Sequence, residues 1–443
     1  MSANVQNKPI RKVLILAYSF PPAGGGRVIR VVKFVKYLPL FNWQPIVLTA
    51  KKPTVNFYDY TLLDQLPKDL TVIRTPSLEF AYPYYKFKRL DINLTQKNDF
   101  GFSSLIMEVL NKIKPWLCIP DSRIGWIPFA LFKGINIIKK ERIDAIMVIA
   151  EPFSSFISGV MLKFFCRKPL VLDFRDEWSE NNKYLFVEKN SVIRKIEDFL
   201  EAICIRYSDK VISVTENIID NFRRRYQRYK DKFIYISNGF DPEDFSNLKK
   251  SEINDGLFTV SYAGAIYRQR SPNVLFKAIA DLVNEQPEIS EILRLNFMGE
   301  IMPEIEQLIK INKLKEIVSV FGFLSHKDAL DRLKNSDVLL YIEDDVRNSD
   351  RILPAKLFEY MGINKPILAL AGDGIVKNTV IKSKIGLVAN PKDPTEIKKT
   401  LFALYETYYK KKTDFCPDEN FINQFHRKKT TAKLASILES LTK

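Results

Sequence analysis

Histidine, cysteine and long apolar runs are all scarce in this chain of 443 residues. The two histidines, His326 and His426, are too few for a metal site built on a histidine cluster. The four cysteines are scattered and form no C-x-x-C pair, which argues against a disulfide framework and against structural zinc. They are typical of ordinary thiols in a reducing compartment.

No stretch of the sequence reaches the roughly 18 apolar residues that a membrane-spanning helix needs. The first apolar run, "KVLILAY", continues into prolines and glycines without the cleavage site of a signal peptide, so we interpret it as a strand. Zinc-finger spacing and the signature of an RNA-binding sheet are also missing, which disfavours nucleic acid as a partner. We therefore expect a cytoplasmic protein that is soluble or peripheral to a membrane.

Positive charge is what the sequence has in excess. Its 68 Lys and Arg against 52 Asp and Glu give a formal net charge of +16. This excess favours anionic partners such as phosphorylated small molecules or an acidic membrane face. With 46% hydrophobic and 12% aromatic residues the chain can bury a large core, and its length suggests two or three domains.

Short apolar runs alternate with longer helical patterns, which is typical of α/β proteins with parallel sheets. The pattern restarts at "LFTVSYAGAIY" after a polar segment, so we place a domain boundary near Lys249. The sequence predicts two doubly wound, Rossmann-like domains facing a cleft, residues 1–249 and 250–416. The tail, residues 417–443, is helical in pattern, and packing back on the first domain is one option for it. In such sheets ligands bind outside the carboxyl ends of the strands.

Three consecutive glycines, Gly24, Gly25 and Gly26, follow the first strand in "AYSFPPAGGGRVIR". They fit a plain turn, or a loop whose backbone N–H groups approach an anion at the positive end of the next helix. The spacing matches neither a dinucleotide fingerprint nor a P-loop. Spacing alone therefore leaves both interpretations open.

Two motifs in the second half also follow predicted strands. In "YAGAIYRQRSP", Arg268 and Arg270 precede a helix and suit a diphosphate, although a solvated basic loop has the same pattern. In "PAKLFEYMGINKP", Lys356 and Glu359 share one helix face. Glu359 could accept hydrogen bonds from two ribose hydroxyls, or the two side chains could form a surface ion pair.

Charged residues also crowd the strand end "DFRDEW". Asp173 and Asp176 there are candidates for general acid and base work, which needs two carboxylates. His326, in "GFLSHKDAL", is expected to cap a helix or lie in a loop rather than to catalyse.

The segments quoted above, with "YISNGFDPEDF", "FGFLSHKDAL" and "SDVLLYI" in the same order, resemble the family 4 glycosyltransferases of the GT-B fold, especially bacterial surface-polysaccharide members. The resemblance implies that the glycine loop lies beside the diphosphate of a nucleotide-sugar donor. It matches the family's basic pair to Arg268 and Arg270 and its ribose-binding glutamate to Glu359. Lys356 is counted with the donor site, and the C-terminal helix is expected to cross back onto the first domain.

Two departures from the family pattern concern the donor sugar and the reacting centre. The first of the family's paired glutamates falls on Arg351, which would suit a sugar with a carboxylate. The family's Pro-Pro-His-Ser reads "AEPFSS" here, so Phe153 replaces the histidine and Glu151 is the candidate substitute.

The resemblance implies retaining transfer of a sugar from a nucleotide diphosphate to a lipid-linked oligosaccharide at the inner face of the cytoplasmic membrane. No cofactor or metal is expected, since cationic side chains and helix dipoles can stabilise the departing diphosphate. One alternative is a non-catalytic subunit that binds sugar nucleotides or polysaccharide. Another is a sugar-nucleotide epimerase, but its pattern of histidines and acids is not found.

Two segments mix aromatic and basic residues, as membrane-surface segments do: Phe80–Leu90 and Asn221–Phe233. Both lie in the first predicted domain, so we expect that domain to contact an anionic membrane. The alternative is that the rings pack in the core and the cations are solvated.

Overall fold

The computed structural model describes residues 9–53, 55, 58–78, 118–179, 191–246, 248, 256–346, 349–351 and 353–443. The chain divides into two compact units. The first contains Met1–Ser237 and Lys428–Lys443, and the second contains Asn238–Arg427.

The first unit is built on a seven-stranded parallel sheet of order β3-β2-β1-β4-β5-β6-β7. Its strands are β1 (Arg11–Ala17), β2 (Trp43–Ala50), β3 (Thr71–Thr75), β4 (Ala145–Ile149), β5 (Leu170–Arg175), β6 (Lys210–Ser213) and β7 (Phe233–Tyr235). Its described α-helices are Gly26–Tyr37, Ile127–Glu141, Ser154–Cys166, Ser191–Tyr207, Glu216–Arg225 and the C-terminal Arg427–Leu441. Shorter 3-10 turns are Leu38–Phe41, Tyr60–Leu63 and Gln227–Lys232.

Strand β1 shows why the apolar runs of this unit are continuous. Leu14 and Leu16 belong to one buried cluster, whereas Val13 and Ile15 belong to another on the opposite face. Because successive side chains of a strand point to opposite faces, a sheet covered on both faces needs apolar residues at every position.

The second unit repeats this plan with a six-stranded parallel sheet of order β10-β9-β8-β11-β12-β13. Its strands are β8 (Phe258–Ala263), β9 (Leu293–Met298), β10 (Val318–Val320), β11 (Val338–Ile342), β12 (Ile367–Leu370) and β13 (Gly386–Ala389). Its described α-helices are Glu243–Ser246, Asn273–Glu285, Glu288–Ile292, Pro303–Ile311, His326–Lys334, Ala355–Ile363, Ile375–Ser383, Pro394–Leu404 and Glu419–Asn423. The remaining turns are 3-10 at Arg268–Arg270 and Ser349–Arg351 and π-helical at Tyr405–Lys410. The predicted class, two doubly wound α/β units, is confirmed.

The division between the units falls between Ser237 and Asn238, before the polar segment near Lys249 where the sequence placed it. The reason is that Phe240 already belongs to the second unit. Its N–H donates to the Phe425 carbonyl at 3.1 Å, and its own carbonyl accepts from the Arg427 N–H at 2.8 Å.

The C-terminal helix packs on the sheet of the first unit. Leu434 and Leu438 are fully buried in the cluster that contains Val13 and Ile15 of β1. No described helix combines the length and the apolar character needed to cross a bilayer.

Candidate functional site

At the carboxyl edge of the second sheet, an arginine is held by an aspartate that the sequence analysis did not single out. Arg270 Nε donates to Asp344 Oδ1 at 2.7 Å, and Nη2 donates to Oδ2 at 2.8 Å. Arg270 Nη1 donates to the Tyr262 hydroxyl at 3.1 Å, and the Tyr267 hydroxyl donates to the same carboxylate at 2.9 Å. Since the two charged side chains are 19% and 28% exposed, the pair is reachable from solvent, but its charges offset each other.

Lys356 is a second cation at this edge, and no carboxylate among the described residues forms an ion pair with it. Its Nζ lies 3.7 Å from the centre of the Tyr262 ring. Gly264 makes room for it, since a Cβ on Gly264 would lie 2.5 Å from Nζ, and the φ of +139° there also favours glycine. Desolvation, and after it the charge of Arg270, lower the pKa of Lys356 to about 7 against the opposing charges of Glu359 and Asp344.

The helix that carries Lys356 adds a second positive feature. Ala355–Ile363 begins after Pro354 without a side-chain cap and has no acidic residue in its first turn. Its first N–H groups and the positive end of its dipole therefore accompany the Lys356 ammonium. An ammonium beside such a helix start suits a phosphate.

Glu359 lies one turn further along this helix and is partly exposed. Its Oε1 lies 3.3 Å from His326 Nε2, at the start of the helix His326–Lys334. The Lys356–Glu359 surface ion pair considered from sequence is replaced by this contact. Ser325 caps the His326 helix, so His326 is its first residue rather than its cap.

The two other predicted donor residues are less defined. Arg268 is exposed on the 3-10 turn Arg268–Arg270. Arg351 ends the 3-10 turn Ser349–Arg351, and its side chain lies outside the described part of the structure.

In the first unit, the glycine loop leads directly into the helix Gly26–Tyr37. Gly25 precedes the helix with a φ of +108°, which favours glycine, and no side chain caps the helix start. A Cβ on Gly25 or Gly26 would meet no atom within 4 Å, so the space in front of the loop is open. The geometry is compatible with a ligand beside Gly24, Gly25 and Gly26, which stays a prediction.

Glu151 lies across from this loop, after β4. Its Oε2 forms an ion pair with Arg27 Nη1 at 2.8 Å, and its Oε1 is buried without a hydrogen-bond partner. A buried acceptor oxygen of this kind gains free energy when it receives a donor.

Asp173 serves the core rather than the surface. It is fully buried, and its Oδ2 accepts from Arg30 Nε at 2.8 Å. Arg30 is also fully buried, donates to the carbonyls of Ile236 and Ser237, and lies 4.8 Å from the Phe34 ring centre. We assign Asp173 a structural role, because a carboxylate in this position does not reach a substrate. The sequence analysis did not single out Arg30. Its position among valines on an apolar helix face was the signal that could have identified it as a buried charge.

Asp176 is half-buried just after β5, beside Arg175. Burial lowers the pKa of Arg175, and its Nε and Nη1 are buried without hydrogen-bond partners. Asp176 thus remains the accessible one of the two predicted acids.

Phe153, at the position of the family's histidine, is a core residue. It is 2% exposed and stacks on Trp178 with ring centres 4.9 Å apart. Apolar packing, rather than a polar group, therefore fills that position.

The two aromatic and basic segments have different outcomes. Phe80–Leu90 lies outside the described residues. In Asn221–Phe233, Phe222 and Phe233 are buried, and Tyr226 and Tyr229 pack against the same cluster. The prediction that this second segment presents aromatic rings to a membrane is therefore wrong, because its rings pack in the core and its exposed residues are polar or charged.

Two doubly wound units in one chain are the architecture of the GT-B class. Two family models match the chain side by side: Glycosyltransferase Family 4 over residues 97–244, and Glycosyl transferases group 1 over residues 244–415. Together they account for most of the chain. It therefore belongs to this group of glycosyltransferases and is a transferase.

Solved structures share the fold along the whole chain. A glycosyltransferase from Rickettsia africae ESF-5 has a TM-score of 0.62 at 15% identity, covering 98% of this chain and 99% of its own. Anabaena Alr3699/HepE in complex with UDP has a TM-score of 0.64 at 15% identity, covering 97% and 100%. WaaG, a glycosyltransferase involved in lipopolysaccharide biosynthesis, has a TM-score of 0.57 at 14% identity, covering 96% and 99%. No curated sequence matches the chain significantly.

Proposed function

We propose that the chain transfers a sugar from a nucleotide-diphosphate sugar to a lipid-linked oligosaccharide at the inner face of the cytoplasmic membrane, with retention of anomeric configuration. The observation that carries the donor assignment is Lys356. Its ammonium lies beside Gly264 and a helix start, and the described residues give it no carboxylate partner. The UDP bound to Alr3699/HepE and the role of WaaG in lipopolysaccharide biosynthesis support the donor and the pathway class.

The proposed roles follow from position. Lys356 and the start of its helix bind the diphosphate, and Glu359, one turn on, binds the ribose hydroxyls. Arg270 also contributes to binding the diphosphate, through guanidinium N–H groups that do not donate to Asp344. Arg268 contributes less because it is exposed and its charge is screened.

In the transfer, the bond from the sugar carbon to the phosphate oxygen breaks and the diphosphate leaves with the electron pair. The acceptor hydroxyl forms the new bond, and its proton passes to an oxygen of the departing diphosphate. Lys356 stabilises the charge that develops on that oxygen. In the first unit, Asp176 and Glu151 remain the candidate acids on the acceptor side.

A nucleotide-release assay tests this proposal. A panel of nucleotide-diphosphate sugars is incubated with the protein and a membrane lipid extract, and free nucleoside diphosphate is measured. We expect Lys356→Met to reduce donor affinity about tenfold or more, since it removes a charge-assisted phosphate contact. Lys377→Met is the matched control, because Lys377 is exposed and pairs with Asp373 at 2.7 Å.

The same assay tests the proposed independence from metal. Within the described residues there is no group of three or more metal-ligating side chains. We expect a chelator to leave nucleotide release unchanged. A loss that magnesium or manganese restores would contradict this part of the proposal.

A second candidate is a non-catalytic subunit that binds the donor. Arg351 at the position of the family's first glutamate favours it, since that glutamate normally faces the donor sugar. Donor binding by calorimetry with no nucleotide release for any donor and acceptor would select this candidate.

A further inference from the structure

The helix Ser154–Cys166 ends in two exposed aromatic rings. Phe164 is 77% exposed and Phe165 is 58% exposed. Their rings contact each other edge to face, with centres 5.4 Å apart. One exposed apolar side chain is ordinary, whereas adjacent exposed rings form a patch that water solvates poorly.

This patch borders an apolar groove of about 670 Å³ between that helix and the helix Ser191–Tyr207. Val160 and Met161 line one wall, and Ile203 and Tyr207 line the other. Ile203 and Tyr207 are four residues apart and therefore share a helix face. Phe199, four residues earlier on that face, is 64% exposed.

The rim of the groove is cationic. Lys163, Arg167 and Lys168 line it, and Arg206 lies next to it with its guanidinium 5.4 Å from the Tyr207 ring centre. Asp209 is the acidic residue among the groove's described lining residues, and it is already bound by Lys163 Nζ at 2.5 Å and by the Leu170 N–H at 2.7 Å. The surface therefore combines exposed rings with a net positive charge.

The groove lies at the opposite edge of the sheet from the candidate acids. Leu170 and Lys210 begin β5 and β6 beside the groove, whereas Glu151 and Asp176 follow the carboxyl ends of β4 and β5. Changes in the groove therefore leave the site untouched.

We infer that this surface docks the first unit on an anionic lipid bilayer. Phe164 and Phe165 enter the interfacial region, where aromatic rings are favoured. Arg167, Lys168 and Arg206 face the acidic headgroups, and each contributes to the attraction. The inference rests on the proposed function only for the reason that this transferase would bind a membrane. Its evidence is the exposed rings and the cations of the groove.

Co-sedimentation with vesicles tests the inference on the full chain. Vesicles of phosphatidylglycerol and phosphatidylcholine in equal parts are compared with phosphatidylcholine alone. We expect Arg167→Gln with Lys168→Gln to weaken binding to the anionic vesicles about thirtyfold, from about 1 kcal/mol for each charge. Phe164→Ser with Phe165→Ser should weaken it about tenfold or more.

Each variant has a matched control. Arg223→Gln with Arg224→Gln removes two cations from the segment Asn221–Phe233. Ile311→Ser removes an apolar side chain that is 74% exposed in the second unit. Both controls should sediment like the unaltered protein, and thermal melting should show that all variants are folded.

The outcomes separate this inference from the proposed function. Groove variants that bind anionic vesicles as well as the controls do would overturn the docking surface. So would a dimer of the unaltered protein that Phe164→Ser with Phe165→Ser dissociates, because a second copy would then cover the groove. Nucleotide release with a soluble oligosaccharide acceptor, measured in the same samples, reports separately on the transferase.

Discussion

Each unit of this protein pairs an arginine outside its parallel sheet with an aspartate in or just after a strand, and the two pairs differ in burial. Arg30 and Asp173 in the first unit are both 0% exposed, whereas Arg270 and Asp344 in the second are 19% and 28% exposed. Arg30 also donates hydrogen bonds to the carbonyls of Ile236 and Ser237, so the guanidinium is bound entirely by groups inside the protein. The comparison teaches that the same two residue types stabilise a core in one unit and border the proposed donor site in the other.

The largest expected effect is on the stability of the first unit, when its buried pair is broken. Arg30→Met leaves Asp173 as an unpaired buried charge, so we expect the free energy of unfolding to fall by about 3–5 kcal/mol. Urea unfolding measures it. Arg223→Met is the control, since its pair with Asp220 is solvent-exposed and should change stability by less than about 1 kcal/mol. An equally small change for Arg30→Met would show that the buried pair is not required.

The partly exposed pair should respond more in binding than in folding. Arg270→Ala is expected to weaken donor affinity about tenfold and to lower the free energy of unfolding by about 1–2 kcal/mol, less than Arg30→Met. Arg268→Ala should have the smaller effect, within about twofold, because the side chain is exposed. Calorimetry with the donor measures both, and unchanged affinity for Arg270→Ala would remove it from the site.

Next to this pair, Lys356 should make donor binding depend on pH. Its pKa is about 7 in the free protein, and a diphosphate favours the charged ammonium, so binding takes up a proton above that pH. We expect donor affinity to be steady below about pH 6 and to fall about tenfold from pH 6 to pH 8. Lys356→Arg keeps its charge over this range and should flatten the profile. A steep profile in Lys356→Arg would assign the dependence to another group.

A smaller effect than those of Arg270 and Lys356 is expected at Glu359. Glu359→Gln should lower affinity for a nucleoside diphosphate about fivefold and leave affinity for pyrophosphate unchanged, since the carboxylate is assigned to ribose. Both ligands are compared by calorimetry. Equal losses would give Glu359 a different role, and His326→Ala tests whether the 3.3 Å contact positions it.

Much of this fold could be predicted because it rests on local patterns. The continuous apolar runs of β1 and β11 identified buried parallel strands, and the position of Lys356 and Glu359 on one helix face followed from helical periodicity. The glycines before Gly26–Tyr37 marked a strand-to-helix turn, and Gly25 does adopt a positive φ. These properties depend on neighbours only a few residues away.

The identity of the charge pairs depended on the tertiary structure. Arg30 meets Asp173 across 143 residues of sequence, and Arg270 meets Asp344 across 74, so neither pairing has a local signal. The same holds for the aromatic rings. Phe222 and Phe233 are buried although their segment is basic, and Phe164 and Phe165 are exposed although their helix is apolar. The sequence by itself determined which segments form sheets and helices, because that follows from short-range periodicity. Only the packing of distant segments decided which charged side chains are buried in the core and which remain accessible to solvent.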